Sequence, residues 1–165
     1  MIQPAPAPPG PAALDGTTVG ALIASGAAWL QAAGVAFGHG TTNAHDEAAW
    51  LVLWRLGLPL DSPTGDTPDS IINQAVTPAD KALTALLFEE RIASRKPAAY
   101  LTREAWLAGV AFYIDERAIV PRSFIAELVA DASIDPWLSE RTRQVLDLCT
   151  GNGSLACLAA MAWPE

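Results

Sequence analysis

The segment VLDLCTGNG, Val145 to Gly153, carries the residues of this chain best suited to chemistry. Its apolar run, Val145, Leu146 and Leu148, predicts a buried strand with Asp147 inside it. Gly151 and Gly153 make a tight turn, and SLACLAAMAW, Ser154 to Trp163, predicts a helix behind them. A strand, a glycine turn and a helix N-terminus bring bare backbone N–H groups against a ligand with no Cβ in the way. That arrangement is a cofactor cradle. A nicotinamide-binding turn reads G-x-G-x-x-G; here the pattern starts at Gly151 and meets Ala156 at its third position, where alanine is tolerated, so that reading stays open. A crossover helix returns the chain to a second parallel strand. None follows Trp163 in this sequence, so the segment reads as the opening of a larger α/β unit.

The elements that must position the cradle lie upstream. A first helix is predicted from Thr17 to Ala33, capped by Thr17 or Thr18, with Val19, Leu22, Ile23, Trp29 and Leu30 on one face and Gly34 at its end. A loop, FGHGTTN, precedes a second helix over about Ala44 to Leu56, with Asn43 as cap and Asp46 and Glu47 in its first turn. Residues 59–76, rich in proline and aspartate, predict loop. Thr77-Pro78-Ala79-Asp80 opens a third helix running to about Arg95, its face made by Leu83, Leu86, Leu87 and Ile92. Within it Glu89, Glu90 and Arg91 read as a solvated face. The character changes at Pro97. Phe112 to Val120, FYIDERAIV, predicts a hairpin turning at Asp115-Glu116-Arg117, and Ser123 caps a helix through Phe124, Ile125, Leu128 and Val129. The expected organisation is a proline-rich disordered tail over 1–16, a helical domain over 17–96, and an α/β part over 97–165.

Composition narrows the function. A net charge of −8 argues against a nucleic-acid surface and is compatible with a basic protein partner. No apolar stretch is long enough to span a bilayer, and residues 1–13 lack the basic and apolar regions of a secretory signal. Cys149 and Cys157 suit reduced thiols, which points to the cytoplasm. His39 and His45 have no cysteine or acid at ligand spacing, so no metal site is expected. Asp115 and Glu116 are adjacent in a turn and point apart, which excludes a paired-carboxylate hydrolase. The tryptophans at 29, 50, 54, 106, 137 and 163 read as core or interface anchors.

An acid at the end of the strand before the glycine turn is the pattern of class I methyltransferases, and Asp147 supplies it. The segment Ala99 to Val129 resembles the region before that turn in the HemK-type protein-glutamine N-methyltransferases. Leu101-Thr102-x-Glu104-Ala105-Trp106 and Val120-Pro121-Arg122-Ser123, followed by Glu127, are worded like the branch acting on the third protein of the large ribosomal subunit. Phe37 to Ala48, FGHGTTN-x-x-DEA, matches that branch too. The resemblance runs from about Thr17 to Trp163. It implies an α+β fragment: a helical domain, a linker hairpin, and the first strand and helix of a Rossmann-like domain using S-adenosylmethionine.

Carried over by position, Cys149, Thr150, Gly151, Asn152 and Gly153 would lie under the methionine part of the cofactor, with Asp147 fixing the loop. Cys149 stands where the release-factor branch has glycine. Pro121 and Arg122 would lie near the mouth of the site. The family's second-strand acid, which holds the ribose, and its Asn-Pro-Pro-Tyr motif, which grips the substrate amide, have no counterpart here. The implied activity, methylation of a glutamine amide nitrogen on a basic ribosomal protein, therefore belongs to a longer parent, and this chain alone is expected to be inactive. The helical domain is expected to recognise the substrate. The rival reading is a non-catalytic binding module complete at Glu165. In that case Leu155 to Met161, apolar all round, predicts a helix that is disordered, repacked or covered by a second copy in a homo-oligomer.

Overall fold

The computed structural model describes residues 14–65 and 67–164. The chain divides into two units, one through Thr102 and one from Arg103. Most of the proline-rich tail expected over 1–16 lies outside the described residues. Leu14, however, is only 2 % exposed and belongs to the core, so packing starts ahead of Thr17.

The first unit is helical. Helix α1 spans Val19–Ala32, α2 Ala44–Leu56, α3 Pro78–Ser94 and the short α4 Ala98–Thr102. Their caps are the residues the sequence offers. Thr18 Oγ1 accepts from Ala21 N, Asn43 Oδ1 from Asp46 N and Thr77 Oγ1 from Asp80 N, each satisfying an N–H that a first helical turn leaves without an intrahelical acceptor. The loop before α3 covers more of these groups. Val19 N donates to Gln74 O at 3.0 Å and Gly20 N to Ile72 O at 2.9 Å, which straps the loop across the start of α1. Gly57, in the left-handed region at φ 66°, ends α2.

Leu22, Leu30, Leu51, Val52 and Phe88 fill the core, and Phe88 stacks on Trp29 with ring centroids 6.2 Å apart. A Cβ on Gly26 would sit 2.5 Å from the Phe88 ring, so that glycine is what lets α1 approach α3. Ala98 and Ala99 are buried as well, which places α4 with the helices and moves the division past the expected residue 96.

Arg91 is a correction. It was expected on a solvated face with Glu89 and Glu90, yet it is buried, its Nε donating to Glu47 Oε1 and its Nη2 to Ala36 O at 2.8 Å. Positions 84, 88 and 91 fall on one side of a helix with 3.6 residues per turn, and that side is the core. Thr41 Oγ1 donates to the second oxygen of Glu47 at 3.0 Å. Gly38 and Gly40 both take positive φ, and Gly38 N donates to Thr41 O at 2.7 Å. FGHGTTN-x-x-DEA is thus a loop folded around one buried ion pair, with Asn43 capping the helix that carries Glu47.

The second unit holds strands β1, Glu104–Leu107, and β2, Val110–Tyr113, helix α5, Phe124–Ala130, a 3₁₀ turn at Asp135–Trp137, and helix α6, Ser154–Ala162. The strands are antiparallel, pairing Glu104 with Tyr113 and Leu107 with Val110. The hairpin therefore turns at Ala108-Gly109 and not, as expected, at Asp115 to Arg117. Ala108 and Gly109 both have positive φ (50° and 76°), which a two-residue turn matching the twist of the strands requires. The buried apolar residues here are few: Ala105, Ile114, Val120, Ala126, Val129 and Leu158, with Leu107, Val110, Phe112, Leu155 and Trp163 packed around the last three. On α5, Phe124, Ile125 and Leu128 are exposed, Phe124 by 84 %, and Trp137, expected as an anchor, is 87 % exposed. Helix α6 is formed and laid on α5 through Leu158, with Ala156, Cys157, Ala160 and Met161 exposed; of the three outcomes expected of a chain complete at Glu165, disorder is not the one seen. No helix among the described residues is long and apolar enough to cross a membrane.

Candidate cofactor loop

Residues 142–147 carry no regular secondary structure and no ladder partner among the described residues, Leu148 opens a turn, and Val145, Leu146 and Leu148 are exposed, Leu146 by 79 %. The buried strand expected there is absent. A strand needs a neighbour for its N–H and C=O groups, and β1 and β2 pair only with each other. The stretch instead forms one wall of a cleft of about 1040 Å³, closed by Ile125, Val129, Leu155 and Trp163 from α5, α6 and the residue after it.

The turn after this stretch is ordered by its own side chains. Thr150 Oγ1 donates to Asp147 Oδ2 at 2.8 Å, closing the loop from the end of that stretch to the glycine turn. Gly153 N donates to Thr150 O at 2.9 Å. Gly151 and Gly153 have φ of 59° and 83°, where a Cβ costs about 1–2 kcal/mol. Cys149 takes φ 60° without that exemption, so the loop holds a cysteine in a conformation that favours glycine. A Cβ added at Gly151 or Gly153 would meet no atom of this chain within 4 Å, so the turn faces open space, as a ligand-bearing turn must.

Asn152 points the other way. Its Nδ2 donates to the backbone O of Tyr113 at 3.2 Å, and its Oδ1 accepts from Ser154 N at 3.4 Å. It therefore ties the turn to β2 and starts α6, a structural contact that no local signal in the sequence shows. Asp147, Cys149, Thr150, Gly151, Asn152 and Gly153 are thus brought together, with α6 beginning at the turn. Pro121 and Arg122 sit in the extended approach to the Ser123 cap of α5, Arg122 exposed and Pro121 half-buried.

Near the end of β2, Asp115 organises the turn that the sequence offered as a hairpin. Arg117 Nε and Nη2 bond its carboxylate at 2.7–3.0 Å, Arg117 N adds a backbone bond, and Tyr113 OH donates at 3.0 Å. The Arg117 side chain and amide hold the Asp115 carboxyl well below the usual carboxylate range, and Asp115 in turn raises Arg117. The folded-state value is lowered, so the turn's contribution to stability is complete above the unfolded value of about 3.9 and is lost only as pH falls through the lower folded one. A carbon-detected NMR titration of the Asp115 carboxyl is expected to show it still ionised at about pH 3; a midpoint at the unfolded value would contradict the fork.

No protein-family profile matches the chain. Curated relatives do. The Burkholderia pseudomallei protein named ribosomal protein uL3 glutamine methyltransferase is 46% identical over 150 residues, covering 90% of this chain and 47% of its own length. Those of Bordetella pertussis and Neisseria meningitidis serogroup B carry the same name and are 47% and 42% identical, over 87% and 93% of this chain. The chain is similar to about half of a uL3 glutamine methyltransferase. The resemblance read from residues 37–48 and 99–129 is borne out by these names. The chain spans about half the length of the relatives it matches.

Proposed function

We propose that this chain is the part of an S-adenosylmethionine-dependent protein-glutamine methyltransferase that engages a ribosomal protein substrate and cradles the methionine end of the cofactor. The observation that carries the reading is similarity above 40% identity, over nearly all of this chain, to relatives named for that reaction. The alternative, a non-catalytic module complete in itself, finds no support in relatives about twice as long. The open glycine turn fits a bound cofactor. Bound there, S-adenosylmethionine supplies a sulfonium methyl group. Asp147 holds Thr150 and thereby the shape of the loop; Gly151 and Gly153 let backbone approach the ligand; Cys149 lines the same turn. By the same resemblance Pro121 and Arg122 would border the mouth. A ribosomal protein substrate fits an enzyme of the cytoplasm.

An amide nitrogen is a poor nucleophile, so the site must orient it in line with the methyl and accept its N–H bonds as charge develops. No Asn-Pro-Pro-Tyr segment for that task occurs in this sequence. The test is a chimera in which residues 14–162 replace the matching half of the Burkholderia relative. Incubated with radiolabelled S-adenosylmethionine and unmethylated uL3 protein, it is expected to label a glutamine side chain. A chimera that folds and binds the cofactor but leaves uL3 unlabelled would overturn the reading.

A further inference from the structure

We propose that Asn152 is a positioning residue that pins the cofactor turn to the free edge of β2, so that the turn is in place before S-adenosylmethionine binds. The proposal rests on the methyltransferase reading above and deepens it. The other bonds of the loop stay inside it: Thr150 Oγ1 to Asp147 Oδ2, and Gly153 N to Thr150 O. They fix its shape and leave its place open. Among the described residues, Asn152 carries the one side chain of the loop that bonds to another strand or helix, at Tyr113 O.

The edge of β2 explains that bond. Ile114 N donates across to Arg103 O at 3.3 Å, so this pair is hydrogen-bonded. Hydrogen-bonded and non-hydrogen-bonded pairs alternate along an antiparallel ladder. The next pair, Tyr113 with Glu104, is therefore of the second kind, and the Tyr113 carbonyl looks away from β1. The sheet holds β1 and β2 alone, so no strand among the described residues meets that carbonyl. The Asn152 amide stands where a third strand would. The anchor is itself held, because the Tyr113 hydroxyl donates to Asp115. Asparagine suits the position because one amide donates and accepts at once, Nδ2 to Tyr113 O and Oδ1 from Ser154 N at the start of α6. A turn left loose binds ligand only in the fraction of molecules where it is in place, and the apparent affinity falls by that fraction. Turnover is untouched once the bound ligand holds the turn.

The test has two readouts. Amide NMR relaxation of the whole chain gives the order parameters of Gly151 and Gly153, expected near the rigid value of about 0.85 and expected to fall toward about 0.6 in Asn152→Ser. Serine is too short to reach Tyr113, while its hydroxyl still accepts from Ser154 N, so the change reports the lost anchor and not a lost helix start. Asn152→Asp keeps the shape and the acceptor but sets a carboxylate against a carbonyl, and is expected to loosen the turn at least as much. In the chimera, Asn152→Ser is expected to raise KM for S-adenosylmethionine by about threefold to tenfold, the worth of one hydrogen bond, with kcat kept within about twofold. A variant that had only lost stability would lower kcat through the active fraction and leave KM alone. Equal order in the unaltered and Asn152→Ser turns, or an unchanged KM in a chimera that transfers methyl, would overturn the proposal. A chimera without transfer is the failure of the methyltransferase reading, and relaxation of the whole chain still decides whether Asn152 pins the turn.

Discussion

Replacing Glu47 with alanine is expected to destabilise the helical unit by about 3–5 kcal/mol, the cost of leaving a buried charge without its partner. Glu47 and Arg91 have side chains only 3% and 2% exposed, so solvent cannot stand in for the lost carboxylate. Two donors lose their acceptor at once, Arg91 Nε and Thr41 Oγ1, and the loop carbonyl of Ala36 keeps its donor only as far as the guanidinium stays where Glu47 held it. Arg91 Nη1 is already buried without a hydrogen-bond partner, which leaves the guanidinium no reserve. Against a typical domain stability of about 5–15 kcal/mol this is a large fraction. Urea unfolding of the whole chain, followed by the circular dichroism of its helices, measures it. The pair is not required as such. Glu47→Leu combined with Arg91→Met exchanges both charges for apolar volume and is expected to cost much less than the sum of the single changes. A Glu47→Ala loss below about 1 kcal/mol, the level of an exposed pair, would show that the pair is solvated.

That ion pair also marks where the sequence stops being legible. Helices α1 to α3 were readable because their signals are local: Thr18, Asn43 and Thr77 cap from within three residues, and Gly57 ends α2 by its own φ. Arg91 was misread because its neighbours Glu89 and Glu90 suggest a charged surface, while its partner lies on another helix 44 residues away. The hairpin was displaced for a related reason. Asp115-Glu116-Arg117 is the more polar stretch and does turn, but Ala108-Gly109 reverses the strands. An alanine with positive φ gives no sign of itself in sequence. Residues 145–148 were expected to be a strand from apolar content alone, yet a strand exists only by pairing, and pairing is never local. In the candidate site the glycine turn and Asp147 were legible as a motif. The bond from Asn152 to Tyr113 was not, because it depends on where β2 runs.

If the bond between Thr150 and Asp147 is what gives the loop its shape, Asp147→Ala in the chimera is expected to lower methyl transfer by about a hundredfold, the usual effect of displacing a positioned group by about 1 Å. The loss should appear in the affinity for S-adenosylmethionine as well as in turnover, because the loop would meet the cofactor before any chemistry. Thr150→Val removes the donor of the same bond and keeps the side-chain shape, so it is expected to match Asp147→Ala. The double variant should then lose little more than either single one, since one interaction cannot be removed twice. Thr150→Ser, which retains the hydroxyl, is expected to retain most of the activity. An Asp147→Ala protein that loses transfer while Thr150→Val keeps it would break this account, because the carboxylate would then act on the ligand directly. Glycine conformation is a separate lever. Gly153→Ala puts a Cβ into open space at φ 83°, so its cost is backbone strain of about 1–2 kcal/mol, not a clash within this chain. Any further loss of cofactor affinity in that variant would measure how closely the ligand approaches the turn.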